Sequence, residues 1–276
     1  MLIRTTTPMN RFTRQHFRKR PAFWRRMIEH SSTADGMAVK AILFDLDNTL
    51  IETSRAGEVA LKKTSEFLKT TLGLDDSTVC TICDKFKQKL FHESFDCSAG
   101  QTIDDVRAHH WEESIKETVG NCSMPSLPAQ CYNMWKSSRL ELLTLSPQVC
   151  NLLKQLRSSY KLLLLTNGVA QTQREKVATA GCEEFFDAIV IAGEHKEQKP
   201  FPSIFRLCFS MLEVEAQDCV MVGDSLDTDI QGGLNAGVRA TVWINSAGGA
   251  VSDGSVKPDY TITTVLELPD ILAQLQ

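Results

Sequence analysis

Four short polar groups in the chain each follow an apolar run. They are Asp45-Leu46-Asp47-Asn48-Thr49, Thr166-Asn167-Gly168, Lys199-Pro200 and Gly223-Asp224-Ser225-Leu226-Asp227-Thr228-Asp229. Singly, each has an ordinary explanation: a solvated turn, or a surface lysine. All four in this order point to one site. The period of two along a strand puts the Asp45 and Asp47 carboxylates on one side. Gathered at one sheet edge, Asp45, Asp47, Asp224 and Asp229 would repel strongly. Two unit charges ~4 Å apart cost ~4 kcal/mol at an effective dielectric of 20. Such a cluster needs a cation, and hard oxygen ligands with no His or Cys nearby in sequence select Mg²⁺. Lys199 adds a positive charge, while the Thr166 hydroxyl and free backbone N–H groups supply donors for an anion. A carboxylate nucleophile, Mg²⁺, a lysine and an anion cradle together are the parts for phosphoryl transfer.

The elements that must position these residues are legible as apolar runs alternating with helical patterns. Val39–Phe44, Lys161–Leu165, Ala188–Ile191, Cys219–Val222 and Ala240–Ile244 read as strands, with Tyr260–Thr263 as a sixth. Their near-continuous apolarity implies strands covered on both faces, as in a parallel sheet. Ser146-Pro147 opens a helix with Val149, Leu152, Leu153 and Leu156 on one face. Further helices are expected over 172–180, from Pro202, and over 227–236, the first and last stopping at Gly181 and Gly237. The alternation predicts an α/β fold with a doubly wound parallel sheet, whose ligands sit at the carboxyl ends of the strands. Residues 53–146 contain no strand pattern but four helical faces, marked by Leu61/Leu68, Val79/Phe86, Ile103/Trp111 and Tyr132/Trp135. They read as an all-helical cap inserted after the first strand, with 37–52 and 147–276 as the core.

Composition sets the outer limits. The chain has 276 residues, 42% of them hydrophobic and 23% charged, which is ordinary for a globular protein. No apolar run approaches the ~20 residues of a membrane-spanning helix. The net charge of −4 hides an asymmetry, since residues 1–36 hold eight Arg or Lys against two acids. That leader reads as a dispensable basic extension, and its Arg, Thr and Phe content also suits a mitochondrial transit peptide or a binding arm. The remaining body is acidic, which argues against nucleic acid as a partner of the core. Nine irregularly spaced cysteines read as reduced thiols in a cytoplasmic protein, which is expected to be a monomer. Cys80-x-x-Cys83 has no second pair to complete a zinc site and falls in a helical pattern, so it reads as structural.

The segments DLDNTL, LLTNG, KP and GDSLDTD resemble the four motifs of the haloacid dehalogenase superfamily. The resemblance runs from about Met37 to the C-terminus. It implies a Rossmann-like core and the following roles. Asp45 is the nucleophile, giving an aspartyl phosphate, and Asp47 is the general acid and then the base. Mg²⁺ is held by Asp45, the backbone carbonyl of Asp47, and Asp224. Phosphate oxygens are taken by Thr166 and by the backbone at Leu46, Asn48 and Asn167, with Lys199 neutralising them. Asp229 fits a supporting role behind these, and Asp227 is a helix N-terminal acid. Asp47 favours the phosphatase branch over dehalogenation, because an alkoxide leaving group needs a proton and a halide does not.

The substrate implied is a sugar phosphate, chosen by the cap. If that sugar carries its own carboxylate, a basic cap residue would suit it, and Arg107, His109, His110 and Arg139 are the candidates, against the plainer reading of surface or intra-cap ion pairs. Trp111 and Trp135 read as cap core. Two alternatives stand beside this reading. One is a broader sugar-phosphate phosphatase or a phosphomutase, which a bisphosphate requirement would reveal. The other is a non-catalytic binding protein, against which the intact acid motifs argue.

Overall fold

The computed structural model describes residues 38–95, 100–121, 123–249 and 256–276. The leader expected over 1–36 lies outside them, as do Cys97 and Cys122. Among the described residues, six strands form one sheet in the order β3-β2-β1-β4-β5-β6: β1 Ala41–Phe44, β2 Lys161–Thr166, β3 Ala188–Ile191, β4 Cys219–Gly223, β5 Ala240–Ile244 and β6 Tyr260–Ile262. Every pairing is parallel. The first strand begins two residues later than its apolar run, and the last ends one residue earlier than expected.

Alternation along β1 explains the apolar runs. Ile42 and Phe44 face one core layer, Ala41 and Leu43 the other, and all four are fully buried. The first layer is closed by α5 (Pro147–Arg157), whose N-cap Ser146 accepts from the Val149 N–H and whose Val149, Leu152, Leu153 and Leu156 are buried. The second is closed by α7 (Pro202–Leu212) through Ile204, Phe205, Cys208 and Leu212. Between them in sequence runs α6 (Ala170–Ala180), which starts two residues before the expected position. The helix expected over 227–236 is a π-helical turn, Leu226–Ile230, running into α8 (Gln231–Ala236) and stopping at left-handed Gly237. A short α9 (Leu268–Gln274) ends the chain.

The helical block between β1 and α5 consists of α1 (Thr53–Leu72), α2 (Asp76–Phe91), α3 (Ile103–Val119) and α4 (Leu127–Leu140). It has its own apolar core. Phe86 stacks on Trp111 at 4.0 Å, with the Trp135 ring edge-on at 5.4 Å. Cys83 lies in that core, where burial pushes its thiol up to about 11, and Cys80 is exposed. No helix among the described residues is long and apolar enough to cross a membrane.

Candidate active site

The register of the central strands brings three of the four polar groups to one edge. Phe44 pairs with Leu164 on one side and Val222 on the other, so Asp45 and Asp224, just past the ends of β1 and β4, lie beside Thr166, the last residue of β2. The Asp45 N–H donates to the Val222 carbonyl at 2.9 Å, carrying the pairing one residue beyond the strand. The fourth group enters from the loop before α7. Lys199 Nζ lies 2.6 Å from Asp45 Oδ1, 2.7 Å from Asp229 Oδ1 and 2.8 Å from the Leu165 carbonyl. Asn167 clamps the lysine's backbone, donating from Nδ2 to the Lys199 carbonyl at 2.9 Å and accepting the Lys199 N–H at 3.1 Å.

Asp229 is supported by a glycine. A Cβ on Gly223 would come within 2.2 Å of Asp229 Oδ2, so only glycine lets that carboxylate fold back under β4. Its Oδ2 also accepts the Ser225 N–H at 3.0 Å, which ties the Asp224 loop to Lys199. Asp229 therefore stands behind the site, holding Lys199. Trp243 Nε1 fixes the same loop by donating to the Asp224 carbonyl at 2.8 Å.

The electrostatics fit a cation. Burial pushes the Asp45 carboxyl up to about 7, with Lys199 opposing and Asp229 and Asp47 adding to the rise. Asp224 is pushed up to about 6, again by burial first and then by the charge of Asp229. Lys199 goes the other way: burial would lower it, and the charges of Asp229 and Asp45 outweigh burial and raise it. Asp45, Asp224 and Asp229 each bring a carboxylate oxygen within 4.8 Å of the others, and one buried lysine does not balance three acids. The Asp47 carbonyl accepts no hydrogen bond among the described residues. Asp45, Asp224 and that carbonyl are an all-oxygen donor set of the kind Mg²⁺ takes.

Asp47 has partners that the sequence did not indicate. Lys176 Nζ is 2.8 Å from both of its oxygens, Gln173 Nε2 donates to Oδ2 at 3.0 Å, and the Thr53 hydroxyl donates to Oδ1. Burial works to raise the Asp47 carboxyl. The charge and hydrogen bond of Lys176, with Thr53 and Gln173, outweigh it and hold the group below the usual carboxylate range. Gln173 also donates to the fully buried Thr166 hydroxyl, so one amide bridges both groups. Gln173 and Lys176 share the buried face of α6 with Val177 and Ala180. Polar residues at i and i+3 of an apolar face were the available signal.

The backbone donors divide. The Leu46 and Asn167 N–H groups have no acceptor among the described residues. The Asn48 N–H, expected to face phosphate, is instead donated to the Ile51 carbonyl at 2.8 Å, closing the turn after β1. Asn48 adopts φ 57° there, a conformation asparagine tolerates. Its side chain accepts the Ser54 N–H at 2.8 Å and reaches Asp224 Oδ2 at 3.4 Å.

The four basic cap residues are placed differently from one another. Arg107 is engaged by Glu93 through Nε and Nη2, the shortest contact 2.8 Å, and donates to Thr172 at 3.1 Å. His109 is exposed and faces Glu112 and Glu113 on its own helix. His110 lies against Glu93 at 3.4 Å, its pKa lowered mainly by burial. Arg139 packs over the Trp135 ring, 5.2 Å from its centroid.

The haloacid dehalogenase-like hydrolase family matches residues 39–237, and the chain belongs to that family. It is therefore an enzyme, a hydrolase. The chain is 48% identical to the N-acylneuraminate-9-phosphatase of Rattus norvegicus over 86% of its own length and 95% of that protein's. It is 46% identical to the Homo sapiens protein of the same name, with the same coverage. Among solved structures, the magnesium-bound HAD-hydrolase YfnB of Bacillus subtilis superposes with a TM-score of 0.63 at 24% identity, covering 85% of this chain and 99% of that one, and the likeness is one of fold.

Proposed function

We propose that the protein is a Mg²⁺-dependent phosphatase that hydrolyses N-acylneuraminate 9-phosphate to the free sugar acid and phosphate through an aspartyl phosphate. The observation that carries the chemistry is the convergence of Asp45, Asp224 and Lys199, with Asp47 two residues beyond Asp45. The substrate follows from the similarity to the two phosphatases of that name.

Lys199 ties Asp45 Oδ1, and the second oxygen of Asp45 attacks phosphorus as the ester bond to the sugar oxygen breaks. Asp47 gives its proton to that departing oxygen. It then takes a proton from water, which attacks the phosphorus of the aspartyl phosphate and frees Asp45. The structure presents Asp47 as a carboxylate on Lys176, the form needed in the second half. For the first half it must gain a proton and leave Lys176. Thr166 and the Leu46 and Asn167 N–H groups are the donors for phosphoryl oxygens, Thr166 once Gln173 releases it. Mg²⁺ on Asp45, Asp224 and the Asp47 carbonyl would neutralise the acids and the phosphoryl charge.

Phosphate release across a panel of sugar phosphates tests the substrate. N-acylneuraminate 9-phosphate should have the highest kcat/KM, and a higher value for a simple hexose phosphate would refute the assignment. Asp47→Asn should lower kcat on sugar phosphates by ~10²–10⁴, the usual contribution of a positioned acid–base group. A rate within threefold of wild type would remove it from the mechanism.

Metal binding should be visible without turnover. Because Asp45 and Asp224 have raised pKa values, the folded state holds more protons than the unfolded one from about pH 4 to 7. Site stability therefore falls as pH rises through that window. Mg²⁺ binds the deprotonated acids. At a hundredfold excess over its Kd it should raise Tm by about 5–10 °C at pH 8 and by much less at pH 5.5. Calorimetry giving equal shifts at the two pH values would contradict the placement of the metal.

A further inference from the structure

We infer that Arg139 is the specificity-determining residue that receives the substrate's own carboxylate, an inference that rests on the sugar-acid reading above. Four cations surround the small cavity between α4 and α6: Arg107, Lys136, Arg139 and Lys176. Three already have anions. Arg107 is held by Glu93, Lys136 bridges Asp104 at 2.9 Å and Glu175 at 2.8 Å, and Lys176 holds Asp47. The Arg139 guanidinium makes no hydrogen bond or ion pair among the described residues, and only stacks on Trp135. Burial lowers its pKa although the charge of Asp47 acts in the opposite sense.

A guanidinium in such surroundings retains five unpaired N–H donors in a planar fork, the geometry that matches a carboxylate in two parallel bonds. Arg139 stands in the last turn of α4, where a basic side chain can serve the helix carbonyls, yet it bonds none of them. It lines the same small cavity as Lys176, which holds Asp47, the group that faces the leaving oxygen, so the anion it awaits belongs on the sugar beyond the ester bond. Arg107 is held by Glu93 and His109 points to its own helix, while His110, whose ring nitrogens make no hydrogen bond among the described residues, lies outside the cavity lining; Arg139 is the unpaired guanidinium on that lining. The cavity is about 10 Å³, room for one water molecule, so a sugar acid enters as the helical block draws back from α6. Arg139 would move with that block and meet the carboxylate as it returns.

The test compares N-acetylneuraminate 9-phosphate with its C1 methyl ester, which keeps the phosphate and loses the charge. The wild-type full chain should favour the acid by ~10² in kcat/KM, chiefly through KM, because a site built for a polar group rejects the analogue lacking it. Arg139→Met should reduce that ratio to within threefold of one. Arg139→Lys, which keeps charge without the fork, should reduce it at least tenfold and covers the case in which the Met variant fails to fold. Equal turnover of acid and ester by wild type, or an unchanged ratio in Arg139→Lys, overturns the role of Arg139 while the phosphatase assignment stands. Failure of wild type on both compounds, with turnover of other phosphates, overturns the substrate reading and the inference with it.

Discussion

Asp45→Asn should abolish turnover, by at least ~10⁴, without weakening the fold. The asparagine oxygen can still accept from Lys199, whose Nζ lies 2.6 Å from Asp45 Oδ1. Lys199 also keeps its partner Asp229 at 2.7 Å. The change removes a carboxylate that burial drives up to about 7, so the metal-free variant should melt at or above the wild-type temperature. Rapid quenching with a radiolabelled substrate should trap a hydroxylamine-labile phosphate on wild type and none on the variant. Turnover above a hundredth of wild type in a folded Asp45→Asn protein would remove the nucleophile.

Lys199→Met should fail in both respects. The lysine side chain is 1% exposed, and its loss leaves Asp45 and Asp229 facing each other in a buried space. Removing one partner of a buried ion pair costs about 3–5 kcal/mol. Urea unfolding should report a loss of that size at pH 8 and a smaller one at pH 5.5, where the two acids can take up protons. Adding Asp229→Asn to Lys199→Met should recover most of the stability and none of the activity. A loss under 1 kcal/mol in the single variant would mean that the acids are compensated by some other group.

Much of this was legible in the sequence for a specific reason. Asp45, Thr166 and Asp224 follow apolar runs that can only be buried strands, so parallel pairing brings them together whatever the intervening segments do. Lys199 could be attached to them only through the recurrence of the four groups in order, since nothing local says that its side chain turns inward. Gln173 and Lys176 were missed because α6 reads as an ordinary polar helix. The clue was that they occupy the face of Val177 and Ala180. The pairing of Arg107 with Glu93 joins residues on either side of a helix boundary and leaves no periodic trace. The turn that spends the Asn48 N–H on Ile51 depends on a left-handed residue that the motif alone does not declare.

Helix α6 carries two sets of contacts at once. Gln173 and Lys176 grip Asp47, while Gln171 and Glu175 meet Asp104 and Lys136 and Thr172 meets Arg107. The helical insertion is therefore not an interchangeable module. A chimaera that grafts a foreign insertion onto this core would leave α6 without its counterparts and would disturb the proton-transfer residue from a distance. Exchanging specificity between relatives would require transplanting α6 together with the insertion.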